Sequence, residues 1–342
     1  MRYLLRFAYL GTRYSGSQRQ SSRPGTEHWT VQGAIEAALC QLGCLGDPVV
    51  VPASRTDAGV HATENAAHVD LRPKNLCQSF QPELLAAGLN ILLARHSHDI
   101  LVRDVLQVPE WFHARYLAQW RTYRYRVAVL KKAALLKHKR CADSIRAFLP
   151  LAELNRCHVV PALELDRAHE VMELLSGEHD FRSFKGSSRS DQDEVRSTVR
   201  DVTDFRLLPA AQPADNDPLY DQLDLWEFRI CSRSFLYRQV RRMVSVVLHA
   251  ASPHVPGADC LALVRSLLAN PSKEAWPGGV RVVPACGLYL AQVHYDPAHL
   301  IGDAEMPEDV AEFYRTKPVA AIENEDENRD EGDDYRSEQA LS

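Results

Sequence analysis

What most limits the fold of this 342-residue chain is a strand, helix, strand order that occurs twice along it. In the first half, Arg2–Leu10 reads as a strand, Gly11–Thr30 as a polar loop, and Val31–Leu42 as a helix capped by Thr30. Val49–Ala53 and Ala66–Leu71 are strand-like on either side of a second loop, Ser54–Ala62. A helix over Pro82–Leu93 and a strand over Ile100–Val108 follow. The second half predicts a strand over Tyr123–Val129, a helix over Leu165–Leu175 stopped at Gly177, and strands over Thr198–Leu208 and Leu223–Cys231. Helices over Leu236–Ala251 and Cys260–Ala269 and a strand over Leu288–Tyr295 complete it. This mixture predicts an α+β fold with an antiparallel sheet, although no sequence repeat recurs at a fixed period. The expected division is 1–115, 116–300, and a disordered acidic tail over 301–342.

Charge is unevenly distributed. Of the 45 acidic and 40 basic residues, 14 and 4 lie from Asp303 to Ser342, so the tail carries −10 and the rest +5. A mildly basic body of this kind suits a polyanion, and the tail hides it from the net charge of −5. Within the tail, Glu323–Glu338 is too acidic and too poor in apolar residues to pack. No apolar run approaches the ~18 residues of a membrane span, and the first residues enter a strand pattern at once. An intracellular protein is expected, and cytoplasm and mitochondrion both fit. The eight cysteines form no C-x-x-C pair and read as buried reduced thiols. His61, His68, His96, His98 and His113 have no metal-ligand spacing, so no metal site is expected.

Three segments carry chemistry. Ala53-Ser54-Arg55-Thr56-Asp57-Ala58-Gly59-Val60-His61-Ala62 places a carboxylate just past a buried strand, with small residues that let another backbone or a ligand approach. An Asx-type turn would use Asp57 equally well, to cap its own backbone. Phe235–Val244 opens a helix whose apolar stripe is Leu236, Val240, Met243, Val244 and Val247, with Tyr237 and Leu248 on its flank. Arg241 falls beside that stripe, and Arg238 and Arg242 point further out. A guanidinium there needs a carboxylate, for which Asp57 is a candidate, or must snorkel to water. Finally, Arg121-Thr122-Tyr123-Arg124-Tyr125-Arg126 alternates rings and guanidinia, which suits RNA and suits an ordinary edge strand as well.

Together these segments resemble the tRNA pseudouridine synthase A family. Ser54–Ala62 matches that family's active-site signature. Phe112–Arg115, Tyr123–Tyr125, His179–Phe184, Phe235–Val244 and Gly287–Leu290 match in the family's order, over about residues 2–295. The run Ser234–Met243 looks most like the eukaryotic branch called tRNA pseudouridine synthase-like 1. The resemblance implies two RRM-like halves whose sheets join, with an active cleft between them. It implies isomerisation of uridine to pseudouridine in the tRNA anticodon stem-loop, with tRNA or another structured RNA as partner, and a homodimer. It aligns Asp57 with the catalytic aspartate, Tyr123 with the tyrosine that contacts the uracil, and Arg241 with the basic residue that pairs with the aspartate. It also places Arg115, Arg121, Arg124, Arg126, Arg238 and Arg242 around the RNA cleft. Three features depart from the family: Gly16-Ser17-Gln18 stands where it has Gly-Trp-Gln, the loops Arg19–Thr30 and Pro209–Gln222 are long, and the acidic tail has no counterpart.

The reaction cuts the C1′–N1 bond, turns the uracil, and joins C1′ to C5. It needs no redox change and no energy input, so no cofactor is expected. An ionised carboxylate is needed as nucleophile or base, and a nearby arginine opposes the protonation that burial favours. Arg55 could hold the flipped nucleotide or its phosphate. Two other readings compete: an RNA-binding paralogue without catalysis, and a metal-dependent hydrolase using Asp57.

Overall fold

The computed structural model describes residues 1–19, 29–73, 79–137, 146–187, 197–212, 217–302 and 304–316. The first half contains β1 (Arg2–Tyr9), α1 (Val31–Gln41), β2 (Val50–Pro52), β3 (His61–Asp70), α2 (Pro82–Arg95) and β4 (Ile100–Val108). Then come β5 (Trp120–Leu130), α3 (Lys132–Lys137), β6 (His158–Val160), α4 (Leu165–Leu175), β7 (Gly177–Asp180), β8 (Val199–Pro209) and β9 (Leu223–Ser232). The chain continues through α5 (Gln239–Ala250), α6 (Gly257–Ala269), β10 (Leu288–His294) and α7 (Glu308–Thr316).

All ten strands form one sheet in the order β4-β1-β3-β10-β5-β9-β8-β7, with β2 on β3 and β6 on β5. The fold is thus mixed α and β around a mostly antiparallel sheet. The two halves meet where β10 pairs with β3 in parallel, Tyr289 opposite His61 and Leu290 opposite Ala62. The far end of β3 pairs instead with β2, Val69 opposite Val50. One strand therefore anchors both edges of the loop that carries Asp57.

Local chemistry explains the elements that position this loop. The Thr30 side chain accepts from Gly33 N and starts α1, which buries Val31, Ala34, Ile35, Ala38 and Leu39. α5 lies against α4 and α6 and buries Val240, Met243, Val244, Val246 and Val247. Tyr123, Tyr125 and Val127 of β5 join the main core, whereas Ala128 and Leu130 join a smaller one with Phe148, Leu149, Tyr220 and Leu225. That division follows the two-residue period of a strand buried on both faces.

The sequence reading needs several corrections. β5 is no edge strand, because β10 and β9 pair with it on either side. The α5 helix starts at Gln239, not Leu236, because Arg238 takes a left-handed conformation with φ +57°. β3 begins at His61, so the loop is shorter than Ser54–Ala62. The short elements α3, β6 and β7 were not expected, being too brief for a periodicity to show. Cys40 is exposed rather than buried. The acidic tail does not begin disordered at 301. α7 buries Val310, its Tyr314 hydroxyl donates to Trp111 O at 2.7 Å, and the Phe313 ring packs on Tyr116. The expectation for Glu323–Glu338 falls outside the described residues. Among those residues, no helix is long and apolar enough to cross a membrane, and no cluster of His, Cys, Asp or Glu could hold a metal ion.

Candidate active site

The Asp57 loop is braced by residues of four segments. Ser17 N donates to Thr56 O at 3.1 Å, and Thr56 N donates back to Ser17 Oγ at 2.8 Å. The Tyr9 hydroxyl lies 2.8 Å from Thr56 Oγ1. Arg121 Nη2 donates to Ala53 O at 2.8 Å, and Asn65 Nδ2 to Ser54 O at 3.1 Å. The chain reverses between Asp57 and Val60, where Val60 N donates to Asp57 O at 3.1 Å and Gly59 supplies φ +75°. Gly11 approaches so closely that a Cβ there would stand 1.9 Å from Val60 O. Ser17, which stands where the resembled family's motif has tryptophan, is therefore a brace of the Asp57 loop. It is 3% exposed and does not present itself to RNA.

Across the junction, Arg241 projects from the first turn of α5. Its Nη1 lies 3.4 Å from Asp57 Oδ2, and its side chain is 3% exposed against 20% for Asp57. Arg241 Nε donates to Val283 O at 2.9 Å. Ser245 fixes the same contact from one turn further on, donating to Arg241 O at 2.7 Å and accepting from Val283 N at 2.8 Å. The guanidinium is thus buried and doubly oriented, not snorkelling at a solvated edge. The pair joins two residues 184 positions apart, one from each half.

Tyr123 completes the group. Its hydroxyl lies 3.0 Å from Ser54 Oγ, and its ring meets Phe235 edge to face at 5.2 Å. Burial raises its pKa above 10.0. The Ser54 hydrogen bond and the Arg121 charge oppose that rise, while the Asp57 charge adds to it. Asp57, Arg241 and Tyr123 are therefore brought together. Arg55 sits half-buried on the same loop.

Three of the six arginines expected around RNA serve the scaffold instead. Arg121, 7% exposed, donates to Ala53 O, Arg115 O and Arg233 O. Arg126 makes two bonds to buried Glu153, at 2.7 and 2.9 Å. Arg242 donates to Ser183 O and Lys185 O, and its guanidinium stacks 4.6 Å above the Trp276 ring. A fourth, Arg124, is 3.5 Å from Glu227 and remains partly exposed. Sequence reasoning also missed Ser54, Ser245, Val283 and the brace at Ser17. Only the position of Ser54 and Ser17 beside recognisable motifs hinted at a role.

Fold and site together set a carboxylate against a buried guanidinium across the joint of one continuous sheet. The model of a family described as tRNA pseudouridine synthase matches residues 171–296. Over 298 residues the chain is 36% identical to human tRNA pseudouridine synthase-like 1, covering 86% of this chain and 90% of that protein. It is 31% identical to the Xenopus laevis protein of the same name, over 88% of this chain and 93% of that one. It is 32% identical to tRNA pseudouridine synthase A of Agrobacterium fabrum, over 90% of this chain and 98% of the other. The chain belongs to the tRNA pseudouridine synthase family.

Proposed function

We propose that this protein isomerises uridine to pseudouridine in the anticodon stem-loop of tRNA, with Asp57 as the catalytic carboxylate. The observation that carries the reading is the Asp57–Arg241 contact, 3.4 Å across the junction of the halves, on a loop braced by Ser17, Tyr9, Arg121 and Asn65. A buried guanidinium beside the carboxylate favours its ionised form, which attack on C1′ or C6, or removal of a sugar proton, would each require. Tyr123 offers a ring to the uracil and a protonated hydroxyl near the reacting carbons. Arg55 is assigned to the flipped nucleotide or its phosphate, from its place two residues before Asp57. The base must leave its stack, at roughly a few kcal/mol, which contacts of this kind offset.

Each half is read as RRM-like. The strand orders β4-β1-β3-β2 and β10-β5-β9-β8 follow the same pattern, with helices after the first and third strand of each half. This supports a division close to Arg115, with β10 returning to close the joint.

The test is pseudouridine mapping on unmodified tRNA transcripts incubated with wild type and with Asp57→Ala, both in EDTA. Modification by the wild type alone is expected. Tight tRNA binding with no modification across a broad set of transcripts would refute the reading.

A further inference from the structure

His61 is fully buried, four residues past Asp57, and plays no part in the chemistry above. Its ring holds three segments at once. Gly11 N donates to Nδ1 at 3.0 Å, so Nδ1 is the acceptor and the proton resides on Nε2. Nε2–H then faces two carbonyls, Asn155 O at 2.9 Å and Cys286 O at 3.1 Å. The imidazole also stacks on Tyr289 of β10 at 4.6 Å, in the register that joins the halves. One neutral tautomer satisfies every contact.

Cys286 lies three residues beyond Val283, whose carbonyl holds Arg241 Nε. The path from carboxylate to guanidinium thus runs from Asp57 through the turn closed by Val60 to His61. It then crosses to Cys286 and returns through Val283 to Arg241. Beside the 3.4 Å contact itself, this is a hydrogen-bonded route that links the backbones carrying the two charges.

We propose that His61 is a positioning residue, setting the separation of Asp57 and Arg241 by tying the Asp57 loop to the segment that anchors the arginine. The proposal rests on the reading of that pair as the reacting pair. It also explains why neutrality matters. A second ring proton would set Nδ1–H against Gly11 N–H. Burial, with Arg156 and Arg126 nearby, lowers the His61 pKa and keeps the ring neutral. The other groups facing it are the Tyr289 ring and the Asn155 and Cys286 carbonyls, whose hydrogen bonds oppose the fall, and Arg126 is itself bound to Glu153.

Two substitutions separate the ring's two functions. His61→Asn keeps an acceptor near Gly11 but is too short to reach Cys286 O, whereas His61→Gln carries an amide N–H long enough to reach it. We expect His61→Asn to lower kcat for pseudouridine formation about tenfold or more, with KM within about twofold. His61→Gln should recover most of that loss. It should also lack the fall in kcat expected of the wild type once the ring is protonated, at a pH below the ordinary histidine range because burial lowers the His61 pKa. In an Arg241→Met background, assayed by single turnover, His61→Asn should add less than about a twofold loss, since the geometry it guards no longer matters. Equal losses in both backgrounds, or a Gln variant no better than Asn, would overturn the proposal while Asp57→Ala stayed inactive. An active Asp57→Ala would instead overturn the reading of the pair itself.

Discussion

Arg126 decides between two accounts of β5. If the strand were an RNA ribbon, Arg126 would be spent on phosphate. In the structure it forms two bonds to Glu153, whose side chain is 2% exposed, and its Nε lies 3.4 Å from Glu227. The Tyr220 hydroxyl adds a third bond to Glu153 at 3.3 Å. At 2.7 Å and an effective dielectric of about 20, the attraction is about 6 kcal/mol before either group's desolvation is subtracted. Arg126→Met leaves a buried carboxylate facing a methyl group, and breaking such a pair costs about 3–5 kcal/mol. Replacing both partners, Arg126→Met with Glu153→Met, removes the stranded charge. It should return to within about 1–2 kcal/mol of wild type, the residue being the hydrogen bond that Tyr220 loses. Urea unfolding at pH 7 measures all three proteins, and tRNA affinity at fixed salt is measured beside it. The expected result is a large loss of stability in the single variant, recovery in the double, and tRNA affinity within about twofold for the double. A single variant of wild-type stability that binds tRNA tenfold more weakly would refute the reasoning and return Arg126 to the RNA.

Tyr123→Phe should cost about 1 kcal/mol through the lost bond to Ser54 and lower kcat. It should leave any alkaline limb of the rate profile below pH 10 unchanged, because burial keeps the hydroxyl protonated there. Acid should destabilise the fold through its buried histidines. Burial pushes His113 down to about 3 and His158 to about 4, so the unfolded chain binds more protons below about 6.5. Their contribution is fully present above about pH 6.5 and is lost as pH falls from there through about 4 to 3. Urea midpoints at pH 7, 6 and 5 follow it, and His113→Asn should flatten the slope. Gly11→Ala must move backbone, since its Cβ would stand 1.9 Å from Val60 O. A loss of more than about 2 kcal/mol with a displaced Asp57 loop is expected, and unchanged melting and activity would contradict it. Finally, tRNA affinity should fall with salt, but gently. If Arg55, Arg115 and Arg238 carry most phosphate contacts, the logarithmic slope is about −2 to −3, whereas all six expected arginines would give about −5.

The elements that carry the site were legible because their signals are local. Thr30 caps α1 as its side chain suggests, and β4 and α4 keep the bounds that periodicity assigned. The loop around Asp57 stood out through its match to the family signature over Ser54–Ala62, since a carboxylate on a loop after a strand is by itself common. The residues alone left Asp57 open between a turn cap and a partner for Arg241, because Arg241 lies 184 residues away and the β3–β10 pairing that joins the halves does not show in either segment; the resemblance supplied the pairing. The start of α5 was misplaced for a related reason. A helical wheel registers the period of Leu236 and Tyr237 but cannot see that Arg238 leaves the helical region, where a left-handed turn precedes the first hydrogen-bonded residue.

The arginines show where pattern reading ends. Alternation in Arg121–Arg126 reports which side chains share a face, and the structure keeps that alternation, with Tyr123 and Tyr125 in the main core. It does not report what stands across from that face. Arg126 meets Glu153, 27 residues on, and Arg124 meets Glu227, 103 residues on. A segment rich in rings and guanidinia therefore has two stable destinations, a polyanion outside the protein or carboxylates within it. The choice depends on whether acids elsewhere in the chain fold onto the same face. Here Glu153 and Glu227 do. A positive charge count over the body thus overstates the charge offered to a polyanion, because Arg126 and Arg124 already face carboxylates of their own chain.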